Sequence, residues 1–154
     1  MPESKEMENI NNLQQWLHDR DILLFDRQLP FSDKSTKATT IHLTDADTWG
    51  VFMDSGRIRT AAEEKTVLLH ECGHCATGTT HAVSSPFDLV AKHEYKADKW
   101  AIKRALSADE LDQAVADGYT DLWSLAEHFG VTEDFMRKAV CWYTHGNMAA
   151  DLYF

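Results

Sequence analysis

The chain has 154 residues, with 15 Lys and Arg against 25 Asp and Glu, a formal net charge of −10, and 10% aromatic residues. At roughly 150 residues per domain this is one compact unit, able to bury about two-thirds of its unfolded surface, so neither disulfides nor a metal are needed merely to keep it folded. The aromatic content excludes a disordered acidic chain, and the negative balance argues against nonspecific nucleic-acid binding, which needs cations to neutralise phosphates, while leaving room for a local basic patch.

The first residues, Met1 to Glu8, are polar and acidic and lack the apolar stretch of a secretory signal. A helix is expected from Met7 to Arg20, where Ile10, Leu13, Trp16 and Leu17 fall at helical spacing. Three short strands follow. Ile22-Leu23-Leu24-Phe25 reads as a buried run, Thr39 to Leu43 alternates, and Trp49 to Met53 is aromatic and apolar before a turn at Asp54-Ser55-Gly56. They predict a small antiparallel sheet. Thr60 with Glu63 spells a capping box opening a helix to about Thr77, and a second helix is expected from Asp88 to Leu106 after Pro86. Ser107 with Glu110 caps a short helix ending near Gly118, and Thr120–Phe129 and Thr132–Tyr143 complete the set, with stops at Gly130 and Gly146. The expected class is α+β, a small sheet with five or six helices, in a single domain over residues 1–154 with a helix-turn-helix-like subregion at 120–145. No apolar run approaches the ~18 residues that span a bilayer. The three cysteines form no disulfide framework, so a cytoplasmic protein with reduced thiols is expected.

His70-Glu71-Cys72-Gly73-His74 is an H-E-x-x-H motif inside the helix that starts at Thr60. At helical spacing the two histidines lie about 40° apart on the wheel, close enough for both imidazoles to hold one ion. Glu71 sits beside that face, able to reach a water on the metal. Zinc lowers the pKa of such a water to roughly 7, and a neighbouring carboxylate can take its proton and pass it to a leaving amine. A catalytic zinc also needs a third ligand. With nineteen residues intervening after His74, Glu94 and Asp98 share one face of the next helix, alongside the small residues Ala97 and Ala101, while Lys92, Lys96, Lys99 and Lys103 take the opposite face. Inward carboxylates on such a helix call for a cation or an imidazole inside. Glu94 is the expected third ligand, with His93, about 100° off that face, as the alternative. Asp98 is placed to accept the second ring N–H of a ligand histidine.

Thr60–Thr77 and His93–Ala101 (H-E-Y-K-A-D-K-W-A) resemble the ImmA/IrrE family of gluzincin-type metallopeptidases, a similarity reaching from the Trp49–Met53 strand to about Asn147. Its most specific pieces are Leu69–His74 and Glu94–Ala101. The resemblance implies zinc (or manganese) held by His70, His74 and Glu94, and Glu71 as general base. It also implies a cytosolic endopeptidase, carried by phages or mobile elements, that cleaves or inactivates a helix-turn-helix repressor. No residue matches a family motif for oxyanion stabilisation; His81, His93 and Tyr95 are candidates.

Two decoys and one rival accompany this reading. Cys72-Gly73-His74-Cys75 spells the C-x-x-C of thiol oxidoreductases, but deep inside a helix and not at the N-terminus that would activate a thiol, so both cysteines read as buried hydrophobes. Leu125 to Thr132, followed by Met136, has the small residue, turn glycine and cap of a helix-turn-helix. Yet Ser107 to Asp134 holds eight acidic residues and no Lys or Arg, so packing or protein recognition is expected there, with no direct nucleic-acid binding. The rival to the enzyme is a non-catalytic zinc-containing antirepressor or toxin-type protein, which would complete its site with a fourth protein ligand such as His81 or Cys75. The apolar tail, Met148 to Phe154, suits packing back or meeting a partner.

Overall fold

A computed structural model describes residues 7–30, 36–43, 47–80 and 86–150. Helix α1 (Ile10–Asp19) starts three residues later than its apolar spacing suggests, because the Asn9 side chain accepts the Asn12 amide at 3.0 Å and sets the first turn there. Its inward stripe is Leu13, Trp16 and Leu17.

The three strands are β1 (Leu23–Asp26), β2 (Ala38–Leu43) and β3 (Thr48–Met53), ordered β1-β3-β2. The expected antiparallel sheet is in fact mixed: β3 runs antiparallel to β2 but parallel to β1. Residues 27–47, which include all of β2, separate β1 from β3, enough chain to return it to the same direction. The buried run expected at Ile22–Phe25 is corrected too. Ile22 is buried, but Leu23 and Leu24 are 46% and 38% exposed, because β1 is an edge strand.

In β3, Val51 and Met53 face the helices, and across β2 the register places Thr40 opposite Val51 and Ala38 opposite Met53. Thr40 therefore points toward the helical layer. The Lys37 carbonyl accepts the Asp54 amide at 2.9 Å. By antiparallel alternation, the backbone groups of Ala38 and Thr40 then turn to the free edge of the sheet.

Helix α2 (Ala61–Thr77) is capped by Thr60, whose hydroxyl accepts the Glu63 amide. The reciprocal half of the expected box is absent: the Glu63 carboxylate accepts the Arg59 amide and pairs with Lys37 at 2.8 Å, tying β2 to the helix. Gly78, at φ 64°, closes α2 in the left-handed conformation. Helix α3 (Phe87–Ala105) packs along α2, and α4 (Ala108–Ala116) opens with the capping box expected at Ser107 and Glu110. Helices α5 (Leu122–Phe129) and α6 (Glu133–His145) flank Gly130, at φ 68°. The class is α+β, with six helices among the described residues. One core joins them, centred on Leu13, Leu17, Val51, Leu68, Leu69, Cys72, Ile102, Phe129 and Met136. No described helix is long and apolar enough to cross a membrane.

Candidate metal centre

The site begins with a glycine in the middle of a helix. A Cβ at Gly73 would fall 3.0 Å from the Ala97 carbonyl carbon and Cα, with the carbonyl oxygen closer still. Glycine on α2 against the fully buried Ala97 on α3 lets the two backbones nearly touch. Ala97 was read from the sequence as a small contact residue; Gly73 is its missing half. This contact carries Glu94 and Asp98 onto the histidine face of α2.

There the ring of His70 lies edge-on to that of His74, with the two Nε2 atoms 3.1 Å apart. Glu94 spans the pair, Oε2 at 2.7 Å from His70 Nε2 and Oε1 at 3.1 Å from His74 Nε2. The far nitrogens are fixed in turn. His74 Nδ1 lies 2.6 Å from the Thr79 carbonyl oxygen, and His70 Nδ1 lies 2.7 Å from Asp98 Oδ1. A carbonyl only accepts, so His74 Nδ1 carries the proton and a neutral ring turns an Nε2 lone pair inward. His70 donates from Nδ1 to Asp98 and likewise turns its Nε2 inward, where a lone pair is free once the ring is neutral.

Two lone pairs and a carboxylate thus converge with no donor among them unless a proton is added. The protein's own answer is to hold His70 protonated. Burial opposes this most strongly, but the hydrogen bonds it donates to the Asp98 and Glu94 carboxylates raise its pKa to about 10. Burial likewise works against ionised Glu94 and Asp98, yet bonds from His70 and His74 to Glu94, and from His70 and Lys138 to Asp98, keep both carboxyls below their usual range. A divalent cation would satisfy all three ligand groups at once. One ligand atom from each of His70, His74 and Glu94 lies within 4.8 Å of the others, and two nitrogens with one oxygen suit zinc, with manganese as the harder alternative.

Glu71, one residue along α2, is buried, and its Oε2 accepts a hydrogen bond from the Thr40 hydroxyl of β2. Both groups line a cleft of about 520 Å³. Its floor is α2, from Thr66 to His74; one wall is the start of β2 with the two residues before it, Thr36 to Thr40, and the other is the first part of α6, including Phe135 and Lys138. Glu94 keeps 42% of its side chain exposed, so the cluster opens to solvent.

Of the other residues singled out from the sequence, His93 and Tyr95 fall outside both the donor cluster and the cleft lining; Tyr95 meets the Trp142 ring instead. Glu94, not His93, is the α3 residue that reaches the histidines. His81 lies outside the described residues, as does the end of the apolar tail at 151–154. Cys72 and Cys75 are free thiols within α2, and burial pushes both up, Cys75 to about 12, which leaves little thiolate for redox chemistry.

The helix-turn-helix look-alike packs on α2. Lys65 Nζ donates to the Phe129 carbonyl, and the Thr132 amide donates to Thr66 Oγ1 at 3.1 Å. The second helix of this look-alike, α6, lines the cleft with Asp134, Phe135 and Lys138. Thr40, Thr79 and Lys138 were missed from the sequence. Thr40 reads there only as one residue of an alternating strand, Thr79 as loop, and Lys138 only as part of the last expected helix. Gly73 carried a signal in principle, as a glycine inside an otherwise good helix.

No family model, curated protein or solved structure matches this chain.

Proposed function

We propose that the protein is a zinc-dependent endopeptidase of ImmA/IrrE type that hydrolyses one peptide bond in a cytosolic protein, a helix-turn-helix repressor of a phage or mobile element. The observation that carries the chemistry is the convergence of the two Nε2 atoms and the Glu94 carboxylate beside the buried Glu71. His70, His74 and Glu94 would hold the ion, which supplies Lewis acidity for the attack of water on a carbonyl. Glu71 takes the proton of the attacking water on its carboxylate and returns it to the departing amine. The Thr40 hydroxyl orients Glu71, while Asp98 and the Thr79 carbonyl fix the two imidazoles by their Nδ1 protons.

Three features support a polypeptide substrate. The edge of β2 offers the backbone groups of Ala38 and Thr40 to an extended chain entering the cleft. Among the described residues the donor set has three members and faces that cleft, which favours hydrolysis over a closed structural site. The acidic run from Ser107 to Asp134 suits steering of a basic, DNA-binding partner. The three free thiols fit a reducing cytosol. The test is incubation of the zinc-loaded protein with the purified repressor encoded beside its gene, followed by intact-mass analysis. Two fragments summing to the repressor plus one water, lost on chelation, are expected. An intact repressor after prolonged incubation contradicts the proposal.

A further inference from the structure

We infer that Lys138, on the helix shared with the helix-turn-helix look-alike, is a positioning residue of the metal centre that acts through Asp98 on His70. The inference rests on the zinc reading above and extends it to a side chain outside the H-E-x-x-H and E-x-x-x-D segments.

The geometry is a chain of contacts across three helices. Lys138 Nζ on α6 lies 3.2 Å from Asp98 Oδ2 on α3, and Asp98 Oδ1 lies 2.7 Å from His70 Nδ1 on α2. Each oxygen of Asp98 thus has its own partner. The Asp98 side chain is only 17% exposed, so its charge needs compensation where water supplies little. With a cation on Nε2, His70 is a neutral ring donating from Nδ1, and Lys138 becomes the full positive charge in contact with Asp98.

The charges around the site point the same way. Glu71, Glu94 and Asp98 bring three negative charges; a dication and Lys138 bring three positive. Without Lys138 the loaded site keeps an unmatched carboxylate next to the imidazole it must orient. The other ion pairs near this wall are spoken for, Lys37 by Glu63 and Arg137 by Asp134. Lys138 is 45% exposed, so a lone pair at this position would normally be worth little. What distinguishes it is the buried carboxylate and the ligand histidine behind it.

The test is zinc affinity, by competition with a chromophoric chelator, together with the visible spectrum of the cobalt-substituted protein. Lys138→Met is expected to weaken zinc binding about 10-fold, the lower end of what outer-shell partners contribute, and to shift the cobalt bands. Lys138→Arg, which keeps the charge and can still reach Asp98, is expected to stay near wild type in both readouts. Thermal melting of the metal-free variants checks that each is folded, with Lys138→Gln as the substitute should Lys138→Met fail to fold. Wild-type affinity and an unchanged cobalt spectrum in the uncharged variant overturn the inference, as does equal weakening in Lys138→Met and Lys138→Arg. A wild-type protein that binds neither zinc nor cobalt instead overturns the zinc reading itself.

Discussion

Glu71→Gln is expected to bind zinc as the wild type does and to cleave its substrate about 10²–10⁴-fold more slowly, the range a positioned proton-transfer group contributes. The amide has the size of the carboxylate, and its oxygen can still accept the Thr40 hydroxyl bond, so the side chain should stay in place. What it loses is the ability to accept a proton. Because Glu71 is outside the His70, His74 and Glu94 donor set, metal content should not change. The informative comparison is therefore zinc per chain and cleavage rate in one preparation. A variant that retains wild-type cleavage removes Glu71 from the mechanism, and one that loses zinc makes it a ligand.

Gly73→Ala is expected to have the second large effect, and its sign is the revealing part. Glycine inside a helix costs about 1 kcal/mol relative to alanine, so on a free helix surface the change would stabilise the protein. Here the added methyl meets the Ala97 backbone, which cannot rotate out of the way as a side chain could. Helices α2 and α3 must separate, an overpacking strain of roughly 1–3 kcal/mol against the propensity gain. Glu94 and Asp98 flank Ala97 on α3, so the same movement draws both from the histidines. Lower thermal stability and weaker zinc binding should appear together. A more stable variant with unchanged zinc affinity would show that the helix contact does not set the site.

The parts of the fold legible in the sequence were those written in local patterns. Thr60 and Ser107 cap helices where a Thr or Ser precedes a Glu by three residues, Thr132 caps the helix after Gly130, and Gly130 and Gly146 stop helices in the left-handed conformation. The same holds for the centre: His70 and His74 are one turn apart, and Glu94 and Asp98 are one turn apart, so each pair was readable as a face. What joins the faces is tertiary. Nothing local in Ala38–Leu43 says that Thr40 will meet Glu71, or that Lys138 will meet Asp98 forty residues away.

Strand direction was illegible for a related reason. The β1–β3 pairing depends on where β2 settles between them in sequence, not on the residues of either strand. The run Ile22–Phe25 shows the limit of composition: an apolar strand at a sheet edge reads like one in the middle, yet leaves Leu23 and Leu24 exposed. The helix-turn-helix look-alike is the reverse case. Its local pattern produces the expected helix, turn and helix, but its acidic charge and its docking on Lys65 and Thr66 make it a wall of the cleft.

The proposed chemistry depends on His70, His74 and Glu94 holding one ion together. The most direct measurement is elemental analysis of zinc per chain, after loading and gel filtration, for the wild type and for Glu94→Ala. One zinc per wild-type chain and close to none in the variant, with both proteins folded, is the expected result. A wild type that retains no zinc, or a Glu94→Ala protein that holds zinc as tightly as the wild type, contradicts it.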